Sequence, residues 1–295
     1  MSSYKSAVPN SKDTFRHDLF KGKVLFCTGG RSGICYKIVE TMMSHGVDAA
    51  IVGRDGKGLA ESAQALVKTT GQKCLPTSAD VRDPGQLEKA VKETVDKFGK
   101  IDFVICGEYV DILRCGNHLA PISSLSSNAF KAVIDIDLLG TYNTIKATLP
   151  YIRQSHGSYL HISATLHYRG VPYQAHVSAA KSGVDALSNV LAVEEGPRGV
   201  RSNVIAPGPI GNTEGMSRLS PMGWDATNDI PLGRMGDTSD IANAAVFLFS
   251  PAASWITGTV LPVDGGENHI RQLSLPYPQS MLDPESVKGL IKGKL

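Results

Sequence analysis

The feature that most limits what this chain can fold into is a repeated alternation of short apolar runs and stretches with helical spacing. VLFCTG (24–29) leads into residues 33–45, where Ile34, Ile38 and Met42 fall on one helical face. DAAIVG (48–53) leads into GLAESAQALVKTTG, closed by Gly71, and CLPTSADV precedes the helical LEKAVKETVDKFG. IDFVIC (101–106) is followed by an irregular stretch and then by one long helix over 127–153. SYLHISA (158–164) precedes a helix over 176–196, which carries small residues on one face. RSNVIAPG (201–208), a Pro- and Gly-rich excursion to about 236, a helix over 238–249 and the strand GTVLPVDGG complete the series. Strands apolar on both faces, alternating with helices, predict one doubly wound parallel sheet covered on both sides, with right-handed crossovers. In such a sheet ligands bind beyond the carboxyl ends of the strands.

Length and composition agree with that reading. The 295 residues are 42% hydrophobic and 20% charged, enough for a large core. With no internal repeat or charged linker, one α/β domain is expected over 21–266, with a substrate loop at 209–236 and tails at 1–20 and 267–295. The first tail is expected to lie at most on the surface. A formal charge of +2 argues against a nucleic-acid partner. No run is apolar enough to span a bilayer, and the amino terminus lacks the apolar core of a secretory signal. The cysteines at 27, 35, 74, 106 and 115 lack metal spacing and read as reduced thiols of an intracellular protein. His118, His161, His167 and His176 likewise fit no metal site, so none is expected.

Thr28-Gly29-Gly30-Arg31-Ser32-Gly33-Ile34 follows the first strand and opens the first long helix. Glycines there let the backbone approach a pyrophosphate, and the helix N-terminus attracts its charge. That is a dinucleotide site of Rossmann type. The second strand ends Gly53-Arg54-Asp55, a cation and a carboxylate side by side. A carboxylate suits the ribose of NAD and an arginine the 2′-phosphate of NADP. Arg31 adds a second cation, which favours NADP(H); an Arg54–Asp55 surface pair is the alternative. Asp80 could accept from an adenine amino group or cap the following helix.

The glycine turn, Asp80-Val81, Ser163, Lys181 and Pro207-Gly208 followed by Thr213 resemble the short-chain dehydrogenase/reductase family over about 21–266. DLFKGKV, SSNAFKAVIDIDLLGTYNT, HISATLHYRGVPYQAHVSAAKSGVDAL, APGPIGNTEGMSRL and SPAASWITGTVLPVDGG are similar to its peroxisomal 2,4-dienoyl-CoA reductases, especially fungal ones. The family's usual acid, a tyrosine four positions before the lysine, is Val177 here, and Tyr168 and Tyr173 are off that spacing. The resemblance implies a reaction in which hydride from NADPH enters the far end of a conjugated diene and the carbon beside the thioester is protonated. It implies Lys181 as ribose ligand and fixed charge, and Asp137, where other members carry Asn, as the group activating a water. Asp135, two residues away on the helix, should face elsewhere. Asp264 is implied as a second carboxylate, with a turn residue as its alternative. Asn117 is implied at the thioester oxygen, His118 at the substrate, Ser163 in orienting cofactor or substrate, and Arg218 at the CoA phosphates. Pro207, Gly208, Ile210 and Thr213 resemble the loop that holds the carboxamide of the cofactor.

Two features depart from the pattern or add to it. Aligning Cys115-Gly116-Asn117 with the family's Ala-Gly-Asn leaves about six inserted residues within 107–114, as insertions fall in loops. This insertion at the site mouth is expected to lower or redirect activity. The ending Gly293-Lys294-Leu295 resembles a peroxisomal address, implying an import receptor as partner and the cytoplasm as the alternative location. A homo-oligomer acting on an acyl-CoA thioester is expected. The competing expectations are a reductase of another carbonyl or enoyl substrate, as in a secondary-metabolite pathway, and a non-catalytic NADP-binding protein.

Overall fold

The computed structural model describes residues 10–107, 119–213, 216, 229–270, 277–283 and 285–286. Among these, seven strands form one parallel sheet: β1 Val24–Thr28, β2 Asp48–Gly53, β3 Cys74–Ser78, β4 Phe103–Cys106, β5 Ser158–Ile162, β6 Arg201–Pro207 and β7 Val260–Val263. Their spatial order is β3-β2-β1-β4-β5-β6-β7. The order reverses beside β1, where the chain crosses from the β2 side to the β4 side, and this leaves a crevice above the end of β1. The helices are α1 Ser11–Thr14, α2 Gly33–Ser44, α3 Gly56–Thr70, α4 Pro84–Phe98, α5 Ser127–Val133, α6 Gly140–Ser155, α7 Ala175–Glu195, α8 Thr238–Phe249 and α9 Gln279–Leu282. No described helix is long and apolar enough to cross a membrane.

Side-chain alternation along each strand divides the core in two. Leu25 and Cys27 of β1 join Phe103 and Ile105 of β4 and Leu160 of β5 on the face covered by α2 and α8. Phe26, Val104, Cys106 and Tyr159 point the other way, toward α4, α6 and α7. A period of two with both sets apolar is what a sheet buried on both faces requires. Cys27, Cys35 and Cys106 are buried and Cys74 is half-buried. Cys115 lies outside the described residues.

Between α5 and α6 the helix does not continue in ordinary register. Residues Ile134–Leu139 form a π turn, in which the Gly140 N–H reaches back five residues to the Asp135 carbonyl. The single long helix expected over 127–153 is therefore one continuous rod with an extra residue wound into its middle. Hydrophobic spacing cannot show such an insertion, and π turns occur preferentially at functional sites.

The segment 10–20 departs from the expected surface tail. His45, fully buried, holds it through Nδ1 to the Arg16 carbonyl at 2.8 Å and Nε2 to Ser11 Oγ at 3.1 Å. Phe20 is 2% exposed, its ring 5.4 Å from Phe103, which in turn meets Phe249 at 4.8 Å. Phe20→Ala should therefore cost about 3–5 kcal/mol in urea unfolding. A residue of a loose tail would change stability by less than about 0.5 kcal/mol.

Candidate active site

The turn after β1 is built around contacts that exclude side chains. Gly29 has φ +68°, and a Cβ there would stand 2.2 Å from the Gly107 carbonyl oxygen at the end of β4. Thr28 locks the same junction: its hydroxyl donates to the Ile105 carbonyl at 3.2 Å and accepts from the Gly107 N–H at 3.2 Å. Gly33, at φ +61°, has open space where its Cβ would project. Ser32 precedes α2 without bonding to its first turn, so those N–H groups have no side-chain cap. An uncapped helix start above a glycine turn fits the pyrophosphate of a dinucleotide, with Gly29, Gly30, Arg31, Ser32, Gly33 and Ile34 as its cradle.

At the end of β2, the carboxylate of Asp55 is already employed. It caps α3 by accepting from the Gly58 N–H at 3.1 Å and lies 3.5 Å from the Arg31 guanidinium. The Arg54–Asp55 pair considered from sequence is thus an Arg31–Asp55 pair. Asp80 receives the Arg82 guanidinium through both oxygens, and this bond holds its carboxyl below the usual range against the opposing pull of burial. Asp83, not Asp80, caps α4, accepting from the N–H groups of Gly85 and Gln86.

The π turn and α7 bring a carboxylate and an ammonium together out of water. Asp137 Oδ2 lies 3.2 Å from Lys181 Nζ, and the two residues are only 3% and 7% exposed. The ammonium also donates to the Ile162 carbonyl at the end of β5, at 3.2 Å. Close approach is possible because Gly183 presents no side chain: a Cβ there would lie 2.8 Å from Leu138. The small-residue face of α7 is therefore the seat of the π turn. Burial pushes the Asp137 carboxyl above its ordinary pKa, with Lys181 pulling partly back. Its second oxygen, Oδ1, is buried without a hydrogen-bond partner among the described residues, as is Ser163 Oγ one residue beyond β5. Asp135 points outward to Lys131, so the two aspartates do face apart.

Other expected residues resolve differently. Both oxygens of Asp264 are bonded within its own turn, to the N–H groups of Gly266 and Asn268 at 2.9 Å and to the Asn268 amide. Burial raises its pKa but these bonds win and leave it lowered. It is a turn-forming carboxylate by geometry. It also lines the end of β6, because a Cβ on Gly208 would fall 2.5 Å from Asp264 Cβ. Ile210 bridges to Gly236, and Thr213 donates back to the Ile210 carbonyl at 2.9 Å, so both feet of the segment 209–236 are joined. Val177 packs into the apolar cluster of Val133 and Ile136. Tyr173, at φ +66° and 4% exposed, spends its hydroxyl on the Ser280 carbonyl. Asn117, His118, Arg218, the insertion at 107–114 beyond Gly107, and the Gly293-Lys294-Leu295 ending lie outside the described residues.

Two side-chain pairings in the loop after β5 are absent from the sequence pattern. His167 Nε2 lies 2.7 Å from Asp185 Oδ2, and Arg169 pairs with Glu267. Asp185 follows Lys181 by four residues, so its place on the same face of α7 was available from spacing. Its partner, eighteen residues away, was not.

Comparison with known proteins places the geometry in context. Residues 29–268 match a family model described as enoyl-(acyl carrier protein) reductase. The (3E)-enoyl-CoA-producing peroxisomal 2,4-dienoyl-CoA reductase of Saccharomyces cerevisiae is 51% identical over 88% of this chain and 89% of its own length. The enzyme of that name from Danio rerio is 45% identical over 84% of this chain and 82% of its own length. Among solved structures, a short chain dehydrogenase from Bacillus anthracis superposes with a TM-score of 0.75 at 32% identity, covering 87% of this chain and all of its own. A 3-ketoacyl-(acyl-carrier-protein) reductase from Brucella melitensis, complexed with NADH, gives 0.76 at 26% identity over 84% of this chain and 99% of its own.

The buried histidine of β5 separates core from chemistry. His161 is fully buried, bonds Ser202 Oγ at 3.1 Å and stacks on Tyr159, and burial lowers its pKa from 6.5 to about 4. The unfolded chain therefore takes up a proton near pH 6.5 that the folded protein refuses until about pH 4. Stability should fall as pH drops through that window, by about 3 kcal/mol in all. In urea unfolding, His161→Gln should flatten this part of the acid limb. An unchanged slope would mean that His161 is protonated in the fold.

Proposed function

From the premise that this chain belongs to the short-chain dehydrogenase/reductase family, we propose that it reduces 2,4-dienoyl-CoA thioesters to (3E)-enoyl-CoA with NADPH, in peroxisomal fatty-acid β-oxidation. One observation carries the reading of the site: the buried Asp137–Lys181 pair stands one helical turn from a valine at the usual acid position. Reduction of a ketone needs a proton on oxygen, which a phenol supplies; Val177 has none to give. Reduction of a conjugated dienoyl thioester needs a proton on carbon instead.

Family members use a nicotinamide cofactor, which Gly29, Gly30, Arg31, Ser32, Gly33 and Ile34 would hold and which, when bound, would supply a hydride. The residues around it have two tasks. Once hydride occupies the far end of the diene, the electron pairs shift toward the thioester, and negative charge gathers on its oxygen. A proton must then join the carbon beside the thioester, leaving the double bond between the two central carbons. Lys181 supplies fixed positive charge at this place and keeps Asp137 oriented. Asp137, with its pKa raised by burial, passes a proton through a water on its unpartnered oxygen. Ser163 orients substrate with a hydroxyl that has no partner among the described residues. Asp264 serves by shaping the wall at the ends of β6 and β7, the role its own hydrogen bonds leave to it. NADPH is favoured over NADH because Asp55 is committed to α3 and Arg31, while Arg54 directly follows β2. Asn117, His118 and Arg218 belong to the acyl-CoA side of the proposal.

Consumption of NADPH in the presence of a panel of dienoyl-CoAs and ketones tests the assignment; turnover of ketones alone would overturn it. Asp137→Ala should lower kcat by about 10²–10⁴-fold while Asp135→Ala stays near wild type. An Asp137 variant at full rate removes the residue from the mechanism. Arg54→Ala should weaken NADPH by about 1–3 kcal/mol and spare NADH. Equal loss for both cofactors contradicts the NADPH assignment.

A further inference from the structure

Three residues after Ser163, Leu166–Tyr168 form a single 3-10 turn at the carboxyl end of β5. The residues on either side of the Tyr168 Cα are each tied to a different element. His167 is bound to Asp185 of α7 at 2.7 Å, and both side chains are nearly buried. Arg169 reaches across to the turn after β7, pairing with the Glu267 carboxylate and donating to the carbonyls of Glu267 at 3.2 Å and Ile270 at 3.0 Å. The His167 ring stands edge-on to the Tyr168 ring at 4.4 Å. Tyr168 is thus clamped at backbone and ring while its side chain stays 41% exposed. Its hydroxyl has no hydrogen-bond partner among the described residues. The other tyrosine of this loop, Tyr173, has given its hydroxyl to Ser280.

We propose that Tyr168 is a catalytic residue, its clamped phenol donating a hydrogen bond to the thioester oxygen as negative charge gathers there. The proposal rests on the dienoyl-CoA reductase reading above and deepens it. The reaction needs a donor to oxygen as well as a proton for carbon, and position 177 can offer neither. The electrostatics suit a donor rather than an acid. Burial first, then the carboxylates of Asp185 and Asp264, push the phenol up to about 12, so it keeps its proton at every working pH. Among the described residues, the charged or titratable groups around it are Asp185 of α7, Asp264 beyond β7, His167 against the ring and the adjoining Arg169–Glu267 pair. No atom is transferred from Tyr168: the oxyanion accepts its hydrogen bond and gives it up when the carbon is protonated.

The test is a steady-state comparison of wild type, Tyr168→Phe, Asp185→Asn and the double variant, using NADPH and a dienoyl-CoA. Phenylalanine keeps the ring against His167, so melting temperature and NADPH affinity should not change. Removing one oxyanion donor costs roughly 10²–10³-fold in kcat. Tyr168→Phe should show a loss of that order, constant between pH 6 and 9, with KM for the thioester nearly unchanged. Asp185 is a positioning residue, so Asp185→Asn should lower kcat in the native background and add little on top of Tyr168→Phe. A Tyr168→Phe enzyme with normal kcat, or one altered only in KM, overturns the proposal and leaves the reductase reading standing. A wild-type protein that consumes no NADPH with any dienoyl-CoA overturns both.

Discussion

The site depends on an ammonium and a carboxylate taken out of water together. Lys181 and Asp137 meet at 3.2 Å in the seam between α7 and the π turn. Burial of such a pair recovers little stability, since removing each ion from water costs about what their attraction returns. What the arrangement provides is a carboxyl with a raised proton affinity beside a fixed positive charge. Every neighbouring feature serves it: the π turn aims Asp137 inward, Gly183 lets the helices close, and the Ile162 carbonyl anchors Lys181 to the sheet.

Around that pair the parallel sheet acts as a frame, placing the ends of β1, β5, β6 and β7 at one rim. The glycine cradle sits on β1, the serine follows β5, and the feet of the substrate loop follow β6. Two side-chain pairings, His167–Asp185 and Arg169–Glu267, tie the loop after β5 to the helix behind it and to the turn beyond β7. The loss of a tyrosine at position 177 is then intelligible as chemistry. Where the final proton goes to carbon, a water beside a buried carboxylate is a more useful source than a phenol aimed at oxygen.

Much of this was legible in the sequence because the signals were local. Apolar runs bounded by glycine located the strands to within a few residues, and the spacing of Asp135 and Asp137 separated an outward from an inward carboxylate. Other features rest on contacts that no window of sequence contains. Three-residue and four-residue spacing reads straight through Ile134–Leu139, because an extra residue in a helix changes register without changing composition. Residues 10–20 carry too few apolar positions to announce themselves, yet Phe20 completes a ring cluster with Phe103 and Phe249. The fate of Asp264 was decided by the amide groups of the two glycines and asparagine that follow it, and the cap of α4 by Asp83 rather than Asp80. Family resemblance drew attention to Asp264, but its hydrogen bonds define what it can do.

In this mechanism a solvent proton passes through the Asp137–Lys181 site to carbon. Turnover of a dienoyl-CoA with NADPH in deuterated water, followed by NMR of the product, tests it most directly. The product should carry one deuterium on the carbon beside the thioester and a double bond between the next two carbons, with deuterium delivery slowed in Asp137→Asn. A product lacking deuterium at that carbon, or equal rates of delivery in both proteins, would contradict it.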